Sequence, residues 1–297
     1  MLHLLHHILQ VDKDGGNTDS WVQDISIELF GVAASLATAF LVIWYQVTRA
    51  RKDRLIYVAS LITSISKYVR AQARNCGLLA DELKISPAKF TLMKYQASDD
   101  LNRLTDKVDQ EGFYHAYLWK YGRWEGTYKQ FKDIYHYLDF MKATIDQLIS
   151  FVERENQGIN ERKKEYKKAF DATIVTLRNT TLSTSFKQAQ PTTVIDLNNI
   201  FKKYTINHTD PANIPSSYEH LIVPLMSYIE TYRFPPNPEI TALLETVLCT
   251  DDIHKGIGFA AASFSNSMLE YQKALDEAAG NFDKATSALK RNFAIPE

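Results

Sequence analysis

The sequence predicts an all-α protein, with a single N-terminal transmembrane helix followed by a large cytoplasmic helical domain. Residues 29–48 contain no charged side chain, and most of the remaining chain places apolar residues at the 3.6-residue spacing of amphipathic helices. No alternating polar and apolar runs are separated by hairpin turns, as paired strands would require. The chain has 297 residues, of which 45% are hydrophobic and 23% charged, so its composition excludes a disordered chain and a polytopic membrane protein.

The charge balance and the cysteine count exclude further classes. Lys and Arg number 34 against 35 Asp and Glu, whereas a protein that coats nucleic acid is normally strongly basic, so we do not expect a nucleic-acid partner. The two cysteines, Cys76 and Cys249, cannot form a disulfide framework and fit a reducing compartment. Each lies in an apolar helical context, which favours buried structural thiols over a nucleophile.

The first domain, residues 1–20, is predicted to be an extracytoplasmic amphipathic segment followed by a turn-rich linker. His3, His6 and His7 share one face of a short helix, and apolar side chains occupy the rest. A metal site or a pH-responsive face is one interpretation, since histidine titrates at about pH 6.5. No acidic residue lies in reach of the three histidines, so an interfacial helix without metal is the favoured interpretation.

The second domain, residues 21–54, contains the predicted transmembrane helix and a basic collar. A helix over the twenty uncharged residues 29–48 is about 30 Å long, which matches the hydrocarbon core of a bilayer. A buried helix of a soluble core is the alternative, although buried helices so long and so uniformly uncharged are uncommon. A cleaved signal peptide is not expected, because the 28 preceding residues carry five acidic side chains and one lysine.

The collar determines the predicted orientation. Arg49, Arg51, Lys52 and Arg54 follow the span within six residues, whereas Lys13 is the sole Lys or Arg that precedes it. Under the positive-inside rule, this asymmetry places the chain after residue 48 in the cytoplasm and the N-terminal tail outside.

Small residues form a stripe along the predicted span. Gly31, Ser35 and Ala39 recur every four residues, a spacing that lets the backbones of two membrane helices approach closely. The stripe predicts that the span associates with a second copy of itself. Chance is the alternative explanation, because alanine is common in membrane helices.

A second periodic feature opens the third domain, residues 55–190, which is predicted to be a helical bundle. Its apolar residues step alternately by three and four positions, as in a coiled-coil seam: Leu55, Val58, Ile62, Ile65 and Val69. An amphipathic helix packed on its own domain is the other interpretation, since the pattern covers little more than two heptads. As a seam, these residues would gather a homo-oligomer around the membrane helices.

Two long helices are predicted within the bundle domain. Apolar periodicity predicts one helix over residues 131–152 and another from about 159 to 180. A basic run opens the second helix: Arg162, Lys163, Lys164, Lys167 and Lys168. Such a run is usually a solvated helix face, and contact with anionic lipid headgroups is the alternative.

The fourth domain, residues 191–297, is predicted to be a proline-rich connection and a C-terminal helical lobe. Seven of the nine prolines lie between Pro191 and Pro238, with short helices expected near residues 193–204 and 218–232. From about Ile257 onward the pattern predicts two long helices separated by Gly280.

The search for chemistry finds no strong catalytic signature, so no catalytic residue, cofactor or metal ligand is assigned and an enzyme is not favoured. Asp133 and His136 can share a helix face with Asp139 nearby, as an acid–base or metal pair requires, but an ordinary charged stripe explains them equally well. Residues 251–258 predict a turn between helices, with an anion site at the next helix N-terminus as the alternative.

Aromatic residues are dense before the long helices, with seven in sixteen positions: Phe113, Tyr114, Tyr117, Trp119, Tyr121, Trp124 and Tyr128. Basic residues lie between them, as in proteins that stack the bases of single-stranded nucleic acid. Helix packing is the favoured use, because the chain carries 12% aromatic residues overall.

Three segments carry a family resemblance: residues 131–145 (FKDIYHYLDFMKATI), 163–179 (KKEYKKAFDATIVTLRN) and 195–206 (IDLNNIFKKYTI). With the membrane anchor and the collar, this layout resembles bacterial phage abortive-infection membrane proteins, although that family usually has two spans. The resemblance implies an inner-membrane protein that acts in anti-phage defence, as an effector or a sensor of a cytoplasmic protein or phage trigger. The alternatives are a non-lytic membrane scaffold that tethers a cytoplasmic partner, and a helical hydrolase or nuclease.

Overall fold

The computed structural model describes residues 18–88, 93–95, 99–207, 213–231 and 237–293, and every regular element within these ranges is a helix. The expected all-α class is thereby confirmed. Three helices dominate: α1 (Thr18–Ile85), α4 (Glu125–Leu182) and α9 (Pro238–Phe293). Shorter elements connect them: α2 (Asp99–Asn102), a π-helical turn (Arg103–Lys107), α3 (Gln110–Tyr121), α5 (Thr184–Ala189), α6 (Pro191–Asn207), α7 (Ile214–Ser217), a second π-helical turn (Tyr218–Ile222) and α8 (Val223–Thr231).

Helix α9 runs antiparallel to α1. Ser66 Oγ on α1 donates to Asp283 Oδ1 at 2.7 Å, and Ser265 Oγ on α9 donates to the Ala80 carbonyl at 2.9 Å. Residue numbers therefore rise along α1 as they fall along the facing surface of α9. The same inverse order relates α4 and α9, so α1 and α4 run parallel on either side of α9.

The first hydrophobic cluster joins all three long helices. It contains the buried face of residues 55–83 of α1, 134–159 of α4 and 261–289 of α9, with α3 contributing Phe113 and Tyr117. On each helix the buried positions recur every three or four residues, because one side of a 3.6-residue helix faces the centre of the bundle. We call residues 55–83 of α1 the stalk.

The second hydrophobic cluster lies beyond the end of α1. Here residues 166–177 of α4 and 240–257 of α9 pack with the short helices α5 to α8. Thr173 Oγ1 on α4 lies 3.0 Å from Thr250 Oγ1 on α9, which connects the two long helices through their side chains. Because α4 and α9 each run through both clusters, the packing does not divide at residue 190, and the predicted domain boundary there stays a prediction.

The five residues with coiled-coil spacing belong to the stalk. Leu55, Val58, Ile62, Ile65 and Val69 are each 0% exposed, buried against the chain's own α4 and α9. A second chain cannot reach these side chains in this arrangement. The packing therefore corresponds to the other interpretation, an amphipathic helix packed on its own domain.

Three predicted helix breaks are wrong. The helices expected over residues 131–152 and 159–180 form one continuous helix, α4, and α9 continues through both residues 251–258 and Gly280. Gly158 and Gly280 have no neighbouring atom within 4 Å of a built Cβ, so neither marks a close approach. A glycine inside a helix costs about 1 kcal/mol, which the packing of a helix of 56 or 58 residues outweighs.

Candidate membrane anchor and interior polar cluster

The N-terminal half of α1 lies outside the bundle. Residues 26–47 are exposed around the whole circumference of the helix, and large apolar side chains such as Phe30, Leu36 and Phe40 are 66–77% exposed. Within the described ranges, this is the one helix long and apolar enough to cross a membrane, with a mean hydropathy of 2.0 and none of that window buried. Soluble core helices share such length and composition, but their apolar side chains are packed, whereas these are not.

The small-residue stripe is open along this exposed half. A Cβ built on Gly31 has no atom within 4 Å, and Ser35 Oγ donates to the Gly31 carbonyl at 2.8 Å. The Ser35 hydroxyl is thus satisfied inside its own helix, which removes the cost of exposing it to hydrocarbon. Gly31, Ser35 and Ala39 together form a narrow, flat face on which another helix could lie closely.

The basic collar divides into two parts. Arg49 lies 3.9 Å from Asp53 one turn later, and Lys52 is exposed, so the first three collar residues remain at the helix surface. Arg54 instead turns towards the bundle, where its Nη2 lies 3.5 Å from Asp109 Oδ2 at the start of α3. Asp109 also caps α3, because its Oδ1 accepts the Gly112 N–H at 3.1 Å. The collar therefore connects the exposed half of α1 to α3.

The aromatic cluster packs the end of the bundle beside the collar. Phe131 on α4 lies within 5.7 Å, between ring centroids, of Phe113, Tyr114 and Tyr117 on α3. Trp119 and Trp124 are exposed, and Trp124 Nε1 donates to the Tyr121 carbonyl at 2.9 Å. Ring-to-ring contact between helices is therefore the use that the structure shows for most of the cluster.

The turn between α3 and α4 contains the position where glycine is required. Gly122 has φ of 87°, in the left-handed region that side-chain-bearing residues rarely adopt. This conformation ends α3 and lets the chain reverse into α4 within three residues.

The weak catalytic candidates do not form a site. His136 and Asp139 are exposed on α4, and Asp133 is half-buried beside them. In the part of the chain that the structure describes, no three His, Cys, Asp or Glu side chains could hold a metal ion together. The three N-terminal histidines lie outside the described residues, so the interpretations of that segment stay predictions.

The two cysteines differ from each other. Cys76 is buried in the first cluster, where burial and the nearby Asp276 charge raise its pKa to about 12, so it is a poor nucleophile. Cys249 is exposed on α9, so the expectation that it is buried is wrong. Its position on the solvent side of α9 follows from the helical repeat, since Val247 and Thr250 occupy the inward face.

A polar cluster that the sequence analysis did not predict lies inside the second half of the bundle. Asp251 on α9 is 2% exposed and accepts hydrogen bonds from Tyr218 Oη and Lys255 Nζ, both at 2.7 Å. Burial raises the pKa of Asp251, but these hydrogen bonds outweigh burial and hold that pKa below its usual range. His254 stacks on the Tyr218 ring at a centroid distance of 3.6 Å, and burial lowers its pKa despite the Asp251 charge.

The sequence analysis missed this cluster because it predicted a turn over residues 251–258. The predicted turn is wrong, and so is its alternative of an anion site at a helix N-terminus, because these residues lie in the middle of α9. The available signal was the spacing of Asp251 and Lys255, which is the i,i+4 spacing of an ion pair on a continuous helix.

No protein-family model, curated protein or solved structure matches this chain. The functional argument therefore depends on the chain's own features, of which the exposed apolar half of α1 is the most distinctive.

Proposed function

We propose that the chain is a single-pass protein of a bacterial inner membrane that acts in anti-phage defence, as a sensor or effector whose membrane helices associate. The observation that carries the proposal is the continuity of α1. One helix of 68 residues is exposed and apolar over residues 26–47 and buried as the stalk over residues 55–83. The exposed half and the stalk are therefore parts of one continuous helix rather than two segments joined by a flexible linker.

The orientation follows from the charges at the two ends of the exposed half. Arg49 and Lys52 are exposed and Arg51 is half-buried just after it, whereas residues 1–28 carry five acidic side chains and one lysine. The positive-inside rule supports placing the helical bundle in the cytoplasm. The resemblance of three segments to abortive-infection membrane proteins supports the defence role.

Association of the spans is proposed to use the stripe of Gly31, Ser35 and Ala39. Membrane helices gain little from burying apolar surface against each other, so close backbone packing at small residues supplies much of the attraction. All three stripe residues are exposed, whereas the stalk below them is packed on the chain's own helices. Any homo-oligomer would therefore form through the exposed half rather than through the stalk.

Two alanines of the span provide a matched test. Ala39→Ile places a branched side chain on the stripe, whereas Ala37→Ile makes the same change about 160° away around the helix. We expect Ala39→Ile to lower the oligomeric mass measured in nanodiscs and to reduce survival of an infected culture, while Ala37→Ile leaves both unchanged. A monomeric wild-type chain, or equal effects of the two variants, would contradict association through the stripe.

A membrane scaffold is the second candidate, and the independence of the bundle favours it. The first cluster begins at Leu55, so the packed core does not use the exposed half at all. Deleting residues 1–48 separates the two functions: a scaffold retains partner binding in solution, whereas an effector loses its action on the membrane. Retained membrane potential in infected cells that express the full chain would favour the scaffold.

A further inference from the structure

A cleft lies beside α4, close to the level where the two hydrophobic clusters meet. It encloses about 720 Å³, which falls within the range of pockets that hold small ligands, about 300–1,000 Å³. One wall is a stripe of α4 that includes Asn160 and Lys163, and the opposite wall is formed by Ile214 and Ser217 of α7. Ala88, which follows the end of α1, lines one edge.

The α4 wall is basic. Lys163, Lys164 and Lys167 line it, and Asp171 is the acidic residue on the same wall, one turn beyond Lys167. Lys163 is half-buried, and this burial lowers its pKa. An ammonium group that has lost part of its hydration gains more from a nearby anion than a fully hydrated one does. The wall therefore favours a ligand with negative charge.

The floor of the cleft is aromatic and rigid. The rings of Tyr166 and Phe170 are stacked at a centroid distance of 5.9 Å, and Tyr204 meets Phe170 edge to face at 5.8 Å. Tyr166 Oη lies 3.1 Å from Ser217 Oγ, which ties the floor to the opposite wall. All three residues are at least 94% buried, so the rings form a rigid base that exposes little of itself to the cleft. The apolar surface open to a ligand comes mainly from the half-buried Ile174 and Ile214, which line the same cleft and complete its floor.

We propose that this cleft binds a soluble nucleoside phosphate, with its phosphate groups against Lys163, Lys164 and Lys167 and its ring system on the apolar floor. The basic wall alone would suit any anion, and the apolar floor alone would suit any small hydrophobic molecule. A phosphorylated molecule with a planar ring system uses both surfaces at once.

The position of the cleft favours a soluble source over a lipid headgroup, which carries the same phosphate chemistry. The part of α1 between Thr48 and Ile85 is about 55 Å long, and the cleft lies at its far end. Headgroup regions extend only about 5–8 Å beyond the hydrocarbon core. The choice of a soluble ligand over a lipid rests on the proposed membrane anchoring, whereas the description of the basic wall and the floor does not depend on it.

Binding is tested by calorimetric titration of the full chain in detergent micelles. The probes are the four common ribonucleoside triphosphates and their monophosphates, with pyrophosphate and short-chain phosphatidylglycerol for comparison. The test variant is Lys163→Gln/Lys167→Gln. The matched control is Lys132→Gln/Lys168→Gln, which removes the same charge from exposed positions of α4 that do not line the cleft.

We expect at least one nucleotide to bind, the test variant to weaken that binding at least tenfold, and the control to change it less than twofold. The proposal is overturned if no nucleotide binds, or if both variants weaken binding equally. Pyrophosphate binding as tightly as the best nucleotide would overturn the role of the floor, and tighter binding of phosphatidylglycerol would identify a lipid ligand instead. None of these outcomes depends on self-association of the spans, so this test and that of the proposed function fail separately.

Discussion

The two halves of α1 contain similar apolar residues in opposite surroundings. Ile43 in the exposed half is 59% exposed, whereas Ile65 in the stalk is 0% exposed, although both are isoleucines of one uninterrupted helix. The difference lies in the residues around them. The stalk alternates apolar and polar faces, while residues 29–48 are uncharged on every face.

This comparison shows that the distribution of polar and charged residues around a helix decides what surroundings it requires. A helix with one apolar face is satisfied by packing on its own domain, as the stalk is on α4 and α9. A helix that is apolar on all faces has no polar face to turn towards water, so it requires either complete burial or a lipid environment. Residues 26–47 are not buried by any described part of the chain, which is the exposure that the proposed membrane span requires.

The largest effect is expected from one substitution made in each half. Ile65→Ala removes a fully buried side chain and should lower the free energy of unfolding by about 2–5 kcal/mol. Ile43→Ala makes the same change where no core exists, so the unfolding of the bundle should not change. Chemical denaturation in micelles, followed by circular dichroism, measures both. Similar losses in the two variants would show that the exposed half packs on the bundle.

A charge introduced into the exposed half should affect membrane insertion alone. Leu41→Arg places a cation near the middle of the span, which costs about 2.5–3.5 kcal/mol of insertion free energy. The variant should shift towards the soluble fraction after cell lysis, while the bundle of the full-length variant keeps the wild-type denaturation curve. If Leu41→Arg left fractionation unchanged and destabilised the bundle, the membrane assignment of this half would be wrong.

The smallest expected effect concerns the second cluster, which lies beyond the stalk and contains no residue of it. Asp251→Asn weakens the hydrogen bonds from Tyr218 and Lys255 and should cost about 1–3 kcal/mol at pH 7. The pKa of Asp251 is lowered in the folded state, so its stabilisation is complete above the unfolded pKa of about 3.9 and disappears as the pH falls through the folded value.

The difference between wild type and Asp251→Asn should therefore narrow as the pH is lowered from about 5 towards 3. Urea denaturation at each pH measures this difference in the free energy of unfolding. The control is Asp252→Asn, because Asp252 is the exposed neighbour of Asp251. A difference that grows in acid would mean that the carboxylate destabilises the fold.

The sequence predicts helices more reliably than it predicts where they end. The all-α class and the exposed apolar half of α1 follow from local periodicity, and the structure agrees with both. The breaks at Gly280 and over residues 251–258 did not occur, because local propensity is weaker than the packing of α9 along two partners.

The contacts inside the candidate sites could not be predicted, because they join residues that are far apart in the chain. Asp251 and Tyr218 are 33 residues apart in the chain, and nothing local indicates that they share a hydrogen bond. The cleft likewise combines α4 with α7, which meet only after the second cluster forms. The sequence shows a basic run that includes Lys163, Lys164 and Lys167. It does not show that α7 lies opposite these lysines and makes them one wall of a cleft.

If residues 26–47 span a membrane as proposed, α1 connects that membrane to the far end of the bundle as one helix. It continues without interruption from the exposed half to Ile85, next to the residues that border the cleft. Membrane helices differ in tilt by tens of degrees, and a change of about 10° over a 55 Å arm moves its tip by about 10 Å. A modest change in the tilt of the proposed span would thus displace the Ile85 end of α1, and any group bound there, by about the width of a helix.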